Sequence, residues 1–202
     1  MIVSYVTVEI DELEWHERSG LALLVLILSR IIWGFVGSRT ARFASFVRGP
    51  KTIWRYFQQL IARDSNAASF DHSSGHNPAG GAFVLVLLGL VLAQISLGLF
   101  SNDEIYFEGP LAPLVSRDWS DKLSDLHHLC FEILLVAIAV HIIANLAYWL
   151  ILKKNLIAPM ISGSTPVDPG TEPNSNFWAP TTRAVVIVGC VAVLVWVTIG
   201  YR

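Results

Sequence analysis

The chain has 202 residues, 53% of them hydrophobic and only 15% charged, with a formal net charge of -2. A charged fraction so far below the roughly 25% of soluble domains excludes water as the main solvent, and the near-zero charge, with no basic groove, excludes an electrostatic attraction to nucleic acid. Cys130 and Cys190 lie in separate apolar runs and form neither a C-x-x-C pair nor a C-x-x-C-H attachment motif, which excludes covalently held c-type haem.

Taken in chain order, the first ten residues lack the basic start and unbroken apolar core of a cleavable signal, and Met1 to Ile10 are too few to cross a bilayer. Four apolar stretches are long enough, at about 20 residues per crossing. They run roughly from Gly20 to Val36, Gly81 to Phe100, Leu126 to Leu152 and Ala184 to Ile199. In lipid a single segment must satisfy its own backbone hydrogen bonds, so each is expected to be a helix. Between the first two spans, Gly49-Pro50 breaks the chain. Thr52 to Arg63 then carries Ile53, Trp54, Phe57, Leu60 and Ile61 near the helical period, which predicts an amphipathic helix lying on the inner surface or packed against the bundle. Ser162 to Pro180, rich in Gly, Pro, Ser, Thr and Asn, reads as a linker. The expected fold is therefore all-α: an integral membrane bundle of four transmembrane helices plus one interfacial helix.

Charge sets the expected orientation. The first connection carries Arg39, Arg42, Arg48, Lys51, Arg55 and Arg63, and Lys153 and Lys154 follow the third span. The Asn102 to Asp125 loop carries Asp103, Glu104, Glu108, Asp118, Asp121 and Asp125. Basic loops stay in the cytoplasm, so both termini are expected in the periplasm of a bacterial inner membrane.

The histidines carry the chemistry. His16 opens the first span, His76 precedes the second, His127 and His128 open the third and His141 lies within it; His72 sits in a polar loop. An imidazole inside a bilayer is costly without a partner. His127 and His141 are fourteen residues apart, a spacing that returns to within about 40° of one helix face and separates them by about 21 Å. Two ligands on one face at two depths suit two haems stacked across a membrane. His128 points to the far side, leaving His127 as the ligand and His128 as an interfacial neighbour. A bis-histidine b-type haem needs a second imidazole at matching depth, and His16, at the same end of its helix, supplies it. His141 lies deeper, and His76 is the remaining candidate to pair with it, although its place before the second span, ahead of Asn77-Pro78, more naturally suits an interfacial or helix-start role. Arg30, fourteen residues after His16, shares that residue's face at about the depth of His141. It either pairs with the propionates of an inner haem or snorkels toward the cytoplasm. His16-Glu17 begins like H-E-x-x-H, but Gly20 stands where the second histidine belongs, so a zinc peptidase is excluded. A binuclear or zinc site at Asp125, His127 and His128 is a further alternative.

Several ordered motifs look familiar. Trp15-His16-Glu17-Arg18-Ser19-Gly20, Ser29-Arg30, Trp33-Gly34-Phe35-Val36-Gly37-Ser38-Arg39, Ala41-Arg42-Phe43 and Phe46-Val47-Arg48-Gly49-Pro50 resemble the bacterial cytochrome b561 and nickel-iron-hydrogenase b-type cytochrome family. So do Gly75 to Gly81, Glu108-Gly109-Pro110-Leu111 and Leu126-His127-His128 with His141. The resemblance covers roughly Trp15 to Gly163. It divides the chain into a haem-binding membrane domain (1–163), a linker (164–182) and an additional C-terminal transmembrane helix (183–202). It implies a di-haem core that moves electrons between quinone, or a hydrogenase-like or other membrane redox partner, and another carrier such as a cytochrome c. In this family an additional helix usually precedes the W-H-E-R motif, and its histidine pairs with the one at the position of His141. With fifteen residues before His16, the sequence predicts one secure haem b and a second inner site lacking its usual ligand. The rival reading is a haem-poor structural subunit that anchors a larger redox complex.

Overall fold

The computed structural model describes residues 1–62, 77–103, 105, 107–151 and 181–200. Seven α-helices are named along them: α1 Ile2–Glu9, α2 Leu13–Val36, α3 Phe43–Phe46, α4 Pro50–Ile61, α5 Pro78–Gly98, α6 Arg117–Ile151 and α7 Thr181–Thr198. Four of these, α2, α5, α6 and α7, are long and apolar enough to cross a membrane, so the chain is a multi-pass all-α membrane protein. Each covers the core of a predicted span and extends it at the N-terminal side. The largest extension is in α6, whose 35 residues rise about 52 Å and overshoot a bilayer core of about 30 Å. Its polar first turns, through Asp118, Asp121 and Asp125, accordingly stand outside the lipid.

The first ten residues, read from sequence only as too short to cross, form a helix. Three of the eight α1 positions are valine, a modest helix former. What holds the helix is a tight reversal: Asp11 adopts φ 57°, a left-handed conformation that aspartate tolerates, and Glu12 N–H donates to the Thr7 carbonyl at 2.8 Å. Thus α1 folds back along α2, with a 2.8 Å hydrogen bond between the Ser19 and Ser4 hydroxyls. It also reaches α6, where Tyr5 stacks on Phe131 with ring centroids 5.6 Å apart.

Helix α2 is the hub, packing against α1, α5 and α7. Leu24, Ile95, Val191 and Val195, from α2, α5 and α7, form the buried core cluster. Arg183 at the start of α7 donates to the Val36 carbonyl at the end of α2, so these two helices run antiparallel.

The segment after α2 folds into a corner. The Phe43 ring lies on Gly34, where a Cβ would stand only 2.1 Å from it, and it meets Phe35 and Phe46 edge to face. Helix α4 starts at Pro50, whose fixed φ suits the first helical position. Both sequence readings of this helix describe part of it. Tyr56 is buried where α4 packs on α5, while Trp54 and Ile61 stay 67% and 83% exposed on the adjoining apolar arc. Its predicted end at Arg63, the His76 position, the two lysines after the third span and the Ser162 to Pro180 linker lie outside the described residues.

Candidate haem site

At one end of the bundle the α5–α6 connection is fastened to the first turns of α6. The Asn102 side-chain amide donates to Ser120 Oγ at 2.7 Å and to Asp121 Oδ1 at 2.8 Å. Ser120 Oγ donates to the Phe100 carbonyl and Ser124 Oγ to that of Asn102. Ser120, Ser124 and His127 follow at i, i+4 and i+7, so they share one face. That face continues through the buried Cys130 and Leu134. The fastening therefore fixes the rotation that carries His127 toward α5, and it leaves His128, one residue on, exposed.

Two imidazoles converge here. His16, from the second turn of α2, and His127 have ring centroids 6.2 Å apart and planes at 85°. His16 Nδ1 lies 2.8 Å from the Ser4 carbonyl of α1, and His127 Nδ1 lies 2.9 Å from the Gln94 carbonyl of α5. A carbonyl oxygen only accepts, so each Nδ1 carries the proton and each Nε2 is left as the acceptor nitrogen. The Nε2 of His127 accepts from the Gln94 side-chain amide at 3.1 Å, while Gln94 Oε1 is buried without a partner among the described residues. Gly98 makes room for the His127 ring, since a Cβ there would come within 2.8 Å of Cε1. Arg18 forms an ion pair with Glu14 and lies over the Trp15 ring at 5.1 Å, so these W-H-E-R residues cover the outer surface while His16 turns inward.

The other residues singled out by sequence lie apart from this pair. His141 is fourteen residues farther along α6, and its ring stacks on Phe83 of α5 with centroids 5.8 Å apart and planes within 2°. Its Nε2 faces the Asn145 amide at 3.3 Å. Among the described residues no second imidazole stands beside it, and His76 lies outside them. Arg30 reaches toward the corner, donating to the Ala41 carbonyl at 3.4 Å with its guanidinium 5.5 Å from the Phe43 ring centroid. Among the described residues no three His, Cys, Asp or Glu side chains come together to hold a metal ion. The zinc or binuclear alternative at Asp125, His127 and His128 is therefore corrected: Asp125 and His128 are exposed, and although the His128 ring meets that of His127 with centroids 6.1 Å apart, no third ligand joins them among the described residues. Sequence reading missed Ser4, Gln94 and Gly98. Gln94 gave a usable signal, as an amide inside an otherwise apolar span; the Ser4 and Gly98 contributions come from backbone position and carried none.

Residues 2–163 match the family model described as prokaryotic cytochrome b561. The chain belongs to this family. As a member of the prokaryotic cytochrome b561 family, it includes α1 within the matched region, whereas α7 lies beyond it. It is similar to a probable Ni/Fe-hydrogenase B-type cytochrome subunit of Bradyrhizobium diazoefficiens, 26% identical over 162 residues covering 73% of this chain and 64% of the relative. It is also similar to the protein of that name from Rhodobacter capsulatus, 25% identical over 164 residues covering 73% of this chain and 60% of the relative. The chain thus spans less than two thirds of the length of these curated relatives. No solved structure matches it.

Proposed function

We propose that this cytochrome b561 family member holds a b-type haem between His16 and His127 and passes electrons between quinone, or a membrane redox partner, and another carrier. One observation carries the reading: two imidazoles from different helices lie with ring centroids 6.2 Å apart and each pins its Nδ1 proton on a backbone carbonyl, leaving Nε2 as the acceptor nitrogen of each ring, that of His127 now taking the Gln94 amide that an iron would displace. The 6.2 Å between the ring centroids is of the order that two metal–imidazole bonds of about 2 Å each would require, so His16 and His127 would hold the haem iron between them. The buried Gln94 Oε1, with no hydrogen-bond partner among the described residues, is a further feature of this site. Bound there, haem iron supplies one-electron redox chemistry.

The chain's own residues do the rest. The Ser4 and Gln94 carbonyls set the tautomer and plane of each ring and raise its basicity, as outer hydrogen bonds do for metal-bound histidines. Helices α1, α2, α5 and α6 surround the pair and leave both rings half-buried. His141 and Phe83 mark a second depth along α6, about 21 Å away, where an inner haem b is held once a further ligand is supplied. The cationic stretch from Arg39 to Arg55 lies at the opposite end of the bundle from the acidic loop, which supports the orientation with both termini in the periplasm. The printed names of the relatives support a hydrogenase-like or similar enzyme as partner.

The deciding measurement is the reduced-minus-oxidised spectrum of the purified 202-residue chain. A six-coordinate low-spin b haem, released by acidified organic solvent, is expected. Folded, membrane-inserted protein without a Soret band would instead identify a haem-poor anchoring subunit.

A further inference from the structure

Away from the histidines, the corner formed by α2, α3 and α5 holds an apolar groove of about 600 Å³, within the roughly 300–1,000 Å³ range of ligand sites. Ile31 and Phe35 of α2, Phe43 and Val47 of the connection, and Leu88 and Leu92 of α5 line it. It runs along the bundle from the surface-level segment toward the bilayer middle, a course that suits a hydrocarbon chain. The segment at its mouth is strongly one-signed. Residues 37–62 contain Arg39, Arg42, Arg48, Lys51 and Arg55 and no aspartate or glutamate. Arg42 and Arg48 directly flank the stretch that lines the groove, and both are exposed. Arg42 spends its Nε on the Gly37 carbonyl, which anchors the side chain. The exposed Trp54 and Ile61 of α4 place the neighbouring helix at the lipid interface, with Lys51 and Arg55 on its polar arc.

From this pairing of an apolar channel with an acid-free cationic rim, we infer that the corner is a binding site for an anionic phospholipid of the adjoining leaflet. One acyl chain lies in the groove and the phosphate sits on Arg42 and Arg48. An uncharged isoprenoid would fill the channel but leave the rim without a counter-charge, whereas a phosphodiester satisfies both; basic residues at a membrane surface attract anionic headgroups with just this pattern. The site stands independently of haem. It makes the corner a lipid-dependent element that settles α3 and α4 at the headgroup level.

The test uses the complete chain in mild detergent, with dioleoyl phosphatidylglycerol and dioleoyl phosphatidylcholine competing at equal concentration and retained lipid read by native mass spectrometry. The wild type should retain the anionic lipid in preference by roughly thirtyfold, as two arginines at the headgroup worth about 1 kcal/mol each imply. Arg48→Gln, a side chain with no hydrogen bond or ion pair among the described residues, should cut that preference severalfold, and Arg42→Gln with Arg48→Gln should remove it. Gly89 has open space where a Cβ would stand, so Gly89→Phe should fill the groove and reduce retention of both lipids while haem content stays at the wild-type level. Equal retention of the two lipids by the wild type would overturn the proposal. So would a preference that survives the double substitution, unchanged retention in Gly89→Phe, or displacement of phosphatidylglycerol by an equimolar uncharged quinone.

Discussion

Replacing Gly98 by alanine adds one methyl group beside the His127 ring and is the sharpest probe of the proposed ligand pair. The new Cβ would stand 2.8 Å from Cε1 and 3.1 Å from Nδ1, whereas ordinary contact begins at 3.4 Å, so ring and backbone must part by about 0.6 Å. Metal–ligand distances tolerate only about 0.2 Å, so the displacement is about three times that tolerance. It also strains the 2.9 Å bond from Nδ1 to the Gln94 carbonyl, the kind of outer contact whose loss lowers metal affinity about 10–100-fold. The overpacking itself costs about 1–3 kcal/mol, which a four-helix bundle can absorb without unfolding. We expect Gly98→Ala to insert and purify normally yet to lose most of its haem on dilution or on titration with apomyoglobin as a haem acceptor. Gly89→Ala, in the same helix with nothing within 4 Å, should behave as wild type. A Gly98→Ala protein with wild-type haem content and off-rate would refute the placement of the ligand at His127.

Three further outcomes are expected. His16→Ala or His127→Ala should abolish the outer haem while His128→Ala keeps most of it, as judged by pyridine haemochrome against protein; equal losses from the two adjacent histidines would show that the ligand assignment is wrong. With Cys130 and Cys190 replaced by alanine, a cysteine introduced near Asn102 should react with an impermeant thiol reagent on intact spheroplasts and one near Arg48 should not, and the reverse pattern would invert the orientation. Haem and protein quantified on one sample of the 202-residue chain should give a ratio near one; a ratio near two would mean that His76 or another subunit completes the site at His141, and His76→Ala would separate those sources.

Much of the architecture was legible because lipid leaves the chain few choices: the four spans followed from length and apolarity alone. The selection of His127 over His128 as the inward residue followed from a helical period that α6 keeps without a break from Ser120 to His141. The α1 helix was not legible, since its valines and short length argue against a helix, and what holds it is tertiary: the reversal at Asp11, the docking of Ser4 on α2 and the stacking of Tyr5 on Phe131. The hydrogen bonds that orient the two rings were hidden for a different reason. They come from main-chain carbonyls, whose positions depend on which helices become neighbours, and no side-chain pattern encodes that.

The placement of the two imidazoles also constrains how the protein is made. His16 enters the membrane with the first long helix, but the facing ring arrives 111 residues later, after α5 has already brought in the Gln94 carbonyl. Synthesis and insertion proceed from the N-terminus, so a nascent chain released before α6 presents one imidazole near the N-terminal end of α2 without the facing His127. Under the proposed ligation, capture of a tightly held six-coordinate cofactor therefore waits for α6. On that assignment a stalled or truncated translation product that ends before α6 is distinguishable from the finished protein by its lack of colour.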